Sequence, residues 1–473
     1  MTNIHAVRCT QLVTPLETES ATTKATLAAV SANQTIMAPS SMGVILSRRW
    51  VSVGVMSAAQ REFDIVLYGA TGFVGKLTAE YLAKAGGDAR IALAGRSQDK
   101  LLAVRDTLPD NAQSWPLLTA DASQPSTLDA MAARTQVVVT TVGPYLRYGL
   151  PLVAACAAAG TDYADLTGEA IFIRESIDLH HKEAIDTGAR IVHSCGFDSI
   201  PSDFTVYALY RRAEQDQAGQ LGDTNLVVRS FAGGVSGGTV ASMLELMRTA
   251  STDPEARRLM NDPYTLSPDR GAEPELGAQP DVRWRRGGEI APELKGYWVG
   301  AFVMAAANTR TVRRSNALLD YAYGRRFEYA EQMSMGRSFA APVAAAMATG
   351  GNAATMALGS RYFNMLPNKL VERIAPKPGT GPSERARENG HYTVETYTTT
   401  TTGARYKATM SQKGDPGYKA TSVLLGESGL ALALDRDRLS ELRGVLTPAA
   451  AMGDALIARF PAAGVLLETS RLN

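Results

Sequence analysis

A strand that runs straight into three glycines constrains this chain more than any other feature in it. Phe63-Asp64-Ile65-Val66-Leu67 is apolar except at Asp64, and it leads into Tyr68-Gly69-Ala70-Thr71-Gly72-Phe73-Val74-Gly75, with glycines at GxxGxxG spacing. A strand that turns sharply into a helix brings backbone N–H groups and the positive end of a helix dipole to one point, which suits a pyrophosphate. Gly69 permits the tight turn, Gly72 lets backbone approach phosphate with no Cβ in the way, and Gly75 lets the helix pack closely on its strand. Residues Gly69, Ala70, Thr71, Gly72, Phe73, Val74 and Gly75 are therefore candidate cofactor-binding positions, against the plainer reading of an ordinary glycine turn.

The following residues supply the adenosine end of such a site. A helix is expected over 76–84 and a second strand over 90–94, ending in Gly95-Arg96-Ser97 roughly 20 residues after the last glycine. An NAD enzyme normally places Asp or Glu here to bind the ribose 2′-hydroxyl. Arg96, with Ser97 beside it and Lys100 one helical turn on, suits a 2′-phosphate instead, so the cofactor expected is NADPH. Asp121, closing a strand over 117–120, either contacts adenine or caps the next helix. The fourth strand, over 136–141, is apolar and β-branched as a strand buried on both faces should be, and it ends in Val142-Gly143-Pro144-Tyr145. Its carboxyl end should face the nicotinamide, which makes Val142, Gly143 and Pro144 candidate cofactor contacts and Tyr145 and Tyr148 candidate lining residues.

With 473 residues, 45% of them hydrophobic, the chain can build two domains with real cores. A net charge of +1 gives no basic field for nucleic acid. Cys9, Cys156 and Cys195 are too few and scattered for a disulfide framework, and no Cys/His cluster suggests a metal, so a reducing cytoplasm is the expected location. Residues 1–55 are rich in Ser, Thr and Ala and show no sustained periodicity, which fits a disordered extension; translation starting at Met56 accounts for it, and a targeting peptide is the other reading.

Beyond the fourth strand the α/β pattern continues with helices over 151–159 and 171–187 and strands over 162–166 and 190–194. The fold class expected is a Rossmann-like doubly wound parallel sheet over 56–205, followed by a second α+β mixed-sheet substrate domain over 206–450. Residues 451–473 form a C-terminal segment able to pack back on the first domain. Two polar clusters follow strands: Asp165-Leu166-Thr167-Gly168-Glu169, and Cys195-Gly196-Phe197-Asp198-Ser199-Ile200-Pro201-Ser202-Asp203. Ser199 with Pro201 also has the form of an N-cap and first-turn proline.

GATGFVG, AGRS, TVGPY, DYADLTGE and CGFDSIPSD, in this order, resemble the saccharopine dehydrogenase-like oxidoreductases and, more closely, the mycobacterial trans-acting enoyl reductases. The similarity runs from about Met56 to the C-terminus. It implies a stand-alone enzyme that reduces an enoyl double bond on a polyketide-synthase-bound intermediate of phthiocerol dimycocerosate and phenolic glycolipid synthesis. Two other readings stay open. One is a saccharopine dehydrogenase-like NADP oxidoreductase acting on another lipid or amino-acid substrate; the other is a non-catalytic NADP-binding partner protein.

In the second domain, strands are expected over 226–231, 298–305 and 327–333, helices over 239–250 and 315–323, and a hairpin over 391–399 and 404–410. Residues 252–296 read as a long loop or flap, and 374–390 as an exposed connection. No charge lies between Arg337 and Arg361, yet Ala and Gly dominate there, so 338–360 suits an acyl tunnel, a subunit contact in a homo-oligomer or a peripheral membrane contact better than a transmembrane span.

An enoyl thioester is electrophilic at its β-carbon because its carbonyl can take up negative charge. A reductase must deliver hydride there, stabilise the enolate oxygen and supply a proton to the α-carbon. By position Tyr145 and Tyr148 are the first candidate donors, with Ser199, Asp198 and His193 behind them. No tyrosine has a lysine four residues later, which removes the short-chain dehydrogenase mechanism, and no HExxH or GK[ST] sequence is present.

Overall fold

The computed structural model describes residues 61–234, 237–283, 285–362 and 381–473. The 1–55 extension, the Met56 start and the first part of the 374–390 connection lie outside the described residues. Strands β1 (Phe63–Tyr68), β2 (Ile91–Gly95), β3 (Leu117–Thr119), β4 (Thr135–Thr140), β5 (Asp162–Ala164) and β6 (Arg190–Val192) alternate with helices, as the apolar runs and glycine punctuation predict. They form a parallel sheet in the order β6-β5-β4-β1-β2-β3, which reverses direction between β1 and β4. That reversal opens a crevice at the carboxyl ends of the strands.

The central strands carry apolar residues on both faces because both are covered. Ile65, Leu67, Val137 and Val139 pack under helices Phe73–Ala85 and Thr421–Leu434, whereas Val66 and Val138 pack with Leu128, Leu152 and Phe172 from helices Pro125–Ala132, Leu150–Ala159 and Ala170–Thr187. A seventh strand, Gly444–Leu446, returns from far downstream to pair in parallel with β6. Residues from 451 onward supply most of helix Pro448–Arg459 and an edge strand of the second sheet.

That second sheet contains β7 (Leu221–Ala232), β8 (Trp298–Ala301), β9 (Glu328–Gly336), β10 (His391–Thr400), β11 (Arg405–Lys413) and, after β12 (Gly444–Leu446), β13 (Val465–Arg471), in the order β13-β11-β10-β7-β9-β8. Only β7 and β9 run parallel, so the sheet is mixed, as expected. The β10–β11 hairpin turns through Thr402 and Gly403. In β11 the side chains of Tyr406, Ala408 and Met410 point inward and those between them outward, the period of two of a strand with one covered face. Those inward residues, with Leu226, Val228, Tyr329 and Tyr392, join the same apolar core as Ile65 and Phe204 of helix Ile200–Gln215, so the two sheets share one core.

Three local expectations differ from the structure. The strand over 298–305 stops at Ala301, and Ala305 already belongs to helix Ala305–Leu318, because Ala305-Ala306-Ala307 favours helix where an apolar run suggested strand. The helix over 315–323 ends at Leu318, since Asp320 and Tyr321 take φ of 54° and 57°. The 252–296 stretch is not one loop: it holds helix Pro254–Asn261, started by the Asp253 side chain accepting from Glu255 N at 2.8 Å, and the short helix Gly287–Ile290. Arg313 fastens this stretch to the sheet by donating to Tyr329 O at 3.0 Å and to Pro263 O at 3.3 Å. Among the described residues no helix is long and apolar enough to cross a membrane. Helix Ala341–Tyr362 packs on β8, while Val343 and Met347 on it, and Phe339 just before it, stand exposed.

Candidate functional site

The glycine turn has the geometry a diphosphate requires. Gly69 takes φ +91°, and a Cβ there would lie 2.7 Å from Val142 Cγ2 and 2.8 Å from Thr141 Oγ1. A Cβ on Gly75 would lie 2.1 Å from Gly69 O, so the helix can start this close to its strand only without a side chain at that position. Gly72 is the N-cap of helix Phe73–Ala85, and no side chain caps it. Among the described residues the N–H groups of Thr71, Phe73, Val74 and Gly75 meet no protein acceptor, which leaves a set of oriented donors at the positive end of a 13-residue helix. Ala70 is fully buried beneath them.

At the adenosine end β2 closes on Gly95 and presents Arg96, which is exposed and, among the described residues, makes no ion pair with a carboxylate. A 2′-phosphate is the partner such a guanidinium fits. Ser97 has a structural duty as well, since it caps helix Gln98–Arg105 by accepting from Lys100 N at 3.4 Å. Asp121 does not cap the next helix, whose N-cap is Gln124. Its carboxylate accepts from the Ser123 N–H and hydroxyl, both at 2.9 Å, and these bonds hold it below the usual carboxylate range while leaving it exposed. Arg96→Ala is expected to weaken NADPH binding by ~1–3 kcal/mol and NADH binding hardly at all, in parallel fluorescence titrations. Equal losses for both nucleotides would defeat the assignment.

On the other side of the crevice, Val142 touches the glycine turn, and a cis peptide joins Gly143 to Pro144. Tyr145, chosen from sequence as a lining residue, is only 5% exposed. Its ring packs against Phe172 at 5.8 Å, and its hydroxyl donates to Thr140 O at 3.3 Å and accepts from Leu166 N at 3.2 Å. Its proton is thereby engaged, and burial raises its pKa well above the ordinary tyrosine value. Tyr148, two-fifths exposed, keeps a free position at the surface beside the Arg147 guanidinium. Glu169 fixes the whole turn, its two oxygens accepting from Tyr145 N at 3.0 Å and Leu146 N at 2.7 Å.

The two polar clusters seen in the sequence meet at the carboxyl ends of β5 and β6. Asp165 accepts from Tyr163 Oη at 2.8 Å, Thr167 N at 3.0 Å and Ser194 N at 2.9 Å, and its Oδ2 lies 2.7 Å from His193 Nδ1. His193 Nε2 in turn lies 2.9 Å from Ser176 Oγ, so both ring nitrogens are engaged. Ser199 is fully buried; it occupies an N-cap position, but its hydroxyl donates to Asn308 Oδ1 at 2.9 Å instead of capping. Asn308 Nδ2 donates to Glu331 Oε2 at 2.9 Å, and Tyr329 Oη donates to Glu331 Oε1 at 2.8 Å. Asn308 and Glu331 join this network from elements whose sequence gave no motif to flag them.

Burial pushes three carboxyls here, Asp198, Asp203 and Glu331, up to about 7. In the unfolded chain each would ionise near 4, so the folded state retains their protons as pH rises between those values. The stability they contribute is complete below about pH 4 and is lost as pH rises through about 7. A fall in melting temperature of ~5 °C or more between about pH 4 and 7, levelling off above that, is expected. Glu331→Gln should flatten that fall in thermal melts, and an unchanged slope would count against this account.

Residues 65–192 match the family described as saccharopine dehydrogenase NADP binding domain. A Mycobacterium tuberculosis protein is 72% identical over 417 residues, 88% of this chain and 100% of its own length. The trans-acting enoyl reductase of Mycobacterium bovis is 69% identical over 419 residues, again 88% of this chain and all of its own. This chain belongs to the trans-acting enoyl reductase family. Another relative, the trans-acting enoyl reductase of Mycobacterium ulcerans, is 66% identical over 419 residues, 88% of this chain and 100% of its own length. The apo saccharopine dehydrogenase (L-Glu forming) of Saccharomyces cerevisiae superposes at a TM-score of 0.48 and 14% identity, covering 86% of this chain and 99% of that one. In this enoyl reductase chain the matched NADP-binding segment contains the free N–H groups and Arg96, and NADPH is the cofactor they fit.

Proposed function

We propose that this chain is an NADPH-dependent enoyl reductase that works in trans, on acyl intermediates held as thioesters by a separate polyketide synthase. The observation that carries the reading is family membership at 66–72% identity across the full length of the relatives, joined to a glycine turn in which, among the described residues, the N–H groups of Thr71, Phe73, Val74 and Gly75 meet no protein acceptor. Thr71, Phe73, Val74 and Gly75 would hold the diphosphate, Arg96 the 2′-phosphate, and Val142, Gly143 and Pro144 the nicotinamide end. When bound, NADPH supplies hydride to an electrophilic carbon.

The remaining demands fall on the protein. The substrate would lie along the carboxyl edge of the first sheet, beside the glycine turn and the nicotinamide-side turn. Tyr148, exposed at the end of the short helix Tyr145–Tyr148 that follows Pro144, can donate to a developing enolate oxygen. Within this reading the substrates are intermediates of phthiocerol dimycocerosate and phenolic glycolipid synthesis. The exposed ridge of Phe339, Val343 and Met347 is then the surface that meets a membrane or the acyl-bearing partner. Free, buried Cys156 and Cys195 suit a reducing cytoplasm.

The test is direct. Purified protein should oxidise NADPH in the presence of an enoyl thioester of pantetheine and give a product two hydrogens heavier by mass spectrometry. NADPH oxidation with amino-acid substrates, and none with enoyl thioesters, would overturn the reading.

A further inference from the structure

Hydride addition to an enoyl thioester leaves an enolate whose α-carbon still needs a proton; Tyr148 is exposed and is assigned above to the enolate oxygen, and the other side chains suggested by sequence are mostly engaged. Tyr145 donates to Thr140 O and Ser199 to Asn308 Oδ1. His193 has both ring nitrogens occupied, by Asp165 and by Ser176. Asp198 differs from all of them. Among the described residues no other residue donates to its carboxylate, which meets only its own backbone N–H, and part of the residue remains exposed.

Its position is equally specific. The loop that carries it leaves the carboxyl end of β6. One neighbour, Phe197, donates its N–H to Thr421 Oγ1 at 2.8 Å, tying the loop to the start of helix Thr421–Leu434. Tyr418, just before that helix, lies edge-on to Phe73 at 4.9 Å, at the first turn of the phosphate-binding helix. On the other flank, a Cβ on Gly196 would lie 2.6 Å from Leu166 Cδ2 and 3.6 Å from Asp198 Oδ2, and Leu166 N is held by the Tyr145 hydroxyl. The loop that carries Asp198 is thus tied on one side to the helix that follows Tyr418, and the Asp198 carboxylate lies on the side of Leu166 and Tyr145, at the carboxyl edge of the sheet. The charged and titratable groups that bear on it are Asp165, from the loop after β5, and Tyr145, from the turn after β4.

Resting on the enoyl reductase reading above, we infer that Asp198 is a catalytic residue of this protein, the general acid that protonates the substrate α-carbon. The step balances. Hydride from NADPH forms the new C–H bond at the β-carbon, and the π-electron pair of the double bond moves towards the thioester carbonyl. That pair then takes the Asp198 proton at the α-carbon as the carboxyl O–H bond breaks. Water returns a proton to the carboxylate, NADPH has been oxidised and the double bond reduced. Burial keeps the Asp198 carboxyl protonated up to about pH 7, so the acid form is present at neutral pH.

The experiment uses the full chain, NADPH and an octenoyl thioester of pantetheine, in water and in deuterium oxide. Asp198→Asn keeps the side-chain shape and should bind NADPH with unchanged affinity by fluorescence titration, while kcat falls roughly 100-fold or more. In deuterium oxide the wild type should label one face of the α-carbon, and the product of the Asn variant should carry label on both faces. Asp198→Glu, which keeps a carboxyl, should recover a substantial part of the rate and the facial preference. Wild-type turnover and a single labelled face in the Asn variant would overturn the assignment, as would a Glu variant no better than Asn. A wild-type protein that binds NADPH but reduces no enoyl thioester would overturn the functional reading itself, and this inference with it.

Discussion

Gly75→Ala should abolish useful NADPH binding while leaving a folded protein of lower melting temperature. An alanine normally helps a helix by about 1 kcal/mol relative to glycine, so propensity alone predicts the opposite sign. Steric contact decides the matter. The new Cβ would lie 2.1 Å from Gly69 O and 2.9 Å from Ala70 Cα, and both are backbone atoms in the turn itself, with no flexible side chain able to yield. The helix must therefore back away from its strand, at a cost of ~1–3 kcal/mol for the forced shift. The same movement takes the N–H groups of Phe73, Val74 and Gly75 out of alignment with a diphosphate. A loss of ~100-fold in NADPH affinity, about 2.7 kcal/mol, is expected in a fluorescence titration. Gly72→Ala is the control: its Cβ would lie 3.3 Å from Gly69 O, a contact that a small adjustment can relieve, so the melting temperature should change little. Wild-type NADPH affinity in the Gly75 variant would defeat the account of why this position is glycine.

The parts of the fold that could be read from the sequence are those whose signals are local. β1, β4 and the glycine turn were legible because a continuous apolar run and a fixed glycine spacing each lie within a few residues, and one structure satisfies both. β12 was not legible. Gly444-Val445-Leu446 is too short to carry a pattern, and its partner, β6, is some 250 residues away in sequence. The helix at 254–261 did have a signal, Asp253 followed by Pro254, but the surrounding Pro, Gly and charge hid it.

The site divides along the same line. Arg96 could be singled out because its meaning depends on distance along the chain from the last glycine. Tyr145 and Ser199 looked accessible because both follow strands, where ligand-facing loops lie. Which way a side chain points there depends on what packs behind it: Phe172 draws the Tyr145 ring inward, and Asn308 takes the Ser199 hydroxyl. Asn308 and Glu331 had no signal at all, since their role comes from the pairing of two distant elements with the loop after β6.

Asp165→Ala should be the most destabilising single substitution in this part of the molecule. The carboxylate is fully buried and faces four groups at once: the Tyr163 hydroxyl, Thr167 N, Ser194 N and His193 Nδ1, at 2.7–3.0 Å. Removing it leaves these groups in the interior with no water to replace the lost acceptor, which for a buried network costs ~3–5 kcal/mol. Ser194 adds to the loss. It is a non-glycine residue at φ 65°, a left-handed conformation disfavoured by roughly 1–2 kcal/mol, and the bond from its N–H to Asp165 is one of the contacts that hold it there. Because native stability is only ~5–15 kcal/mol, a thermal melt should show a drop of roughly 10 °C or more. Asp165→Asn, which keeps one carbonyl oxygen, should fall between the two. The loops after β5 and β6 are joined through this carboxylate, so the substitution also releases the segment that carries Asp198. The phosphate-binding turn stands on β1 and β2, away from Asp165, and whatever protein remains folded should still bind NADPH. A variant that melts within a degree or so of the wild type would show that the four groups find other partners, and Asp165 would then have no claim to organise the carboxyl edge of the sheet.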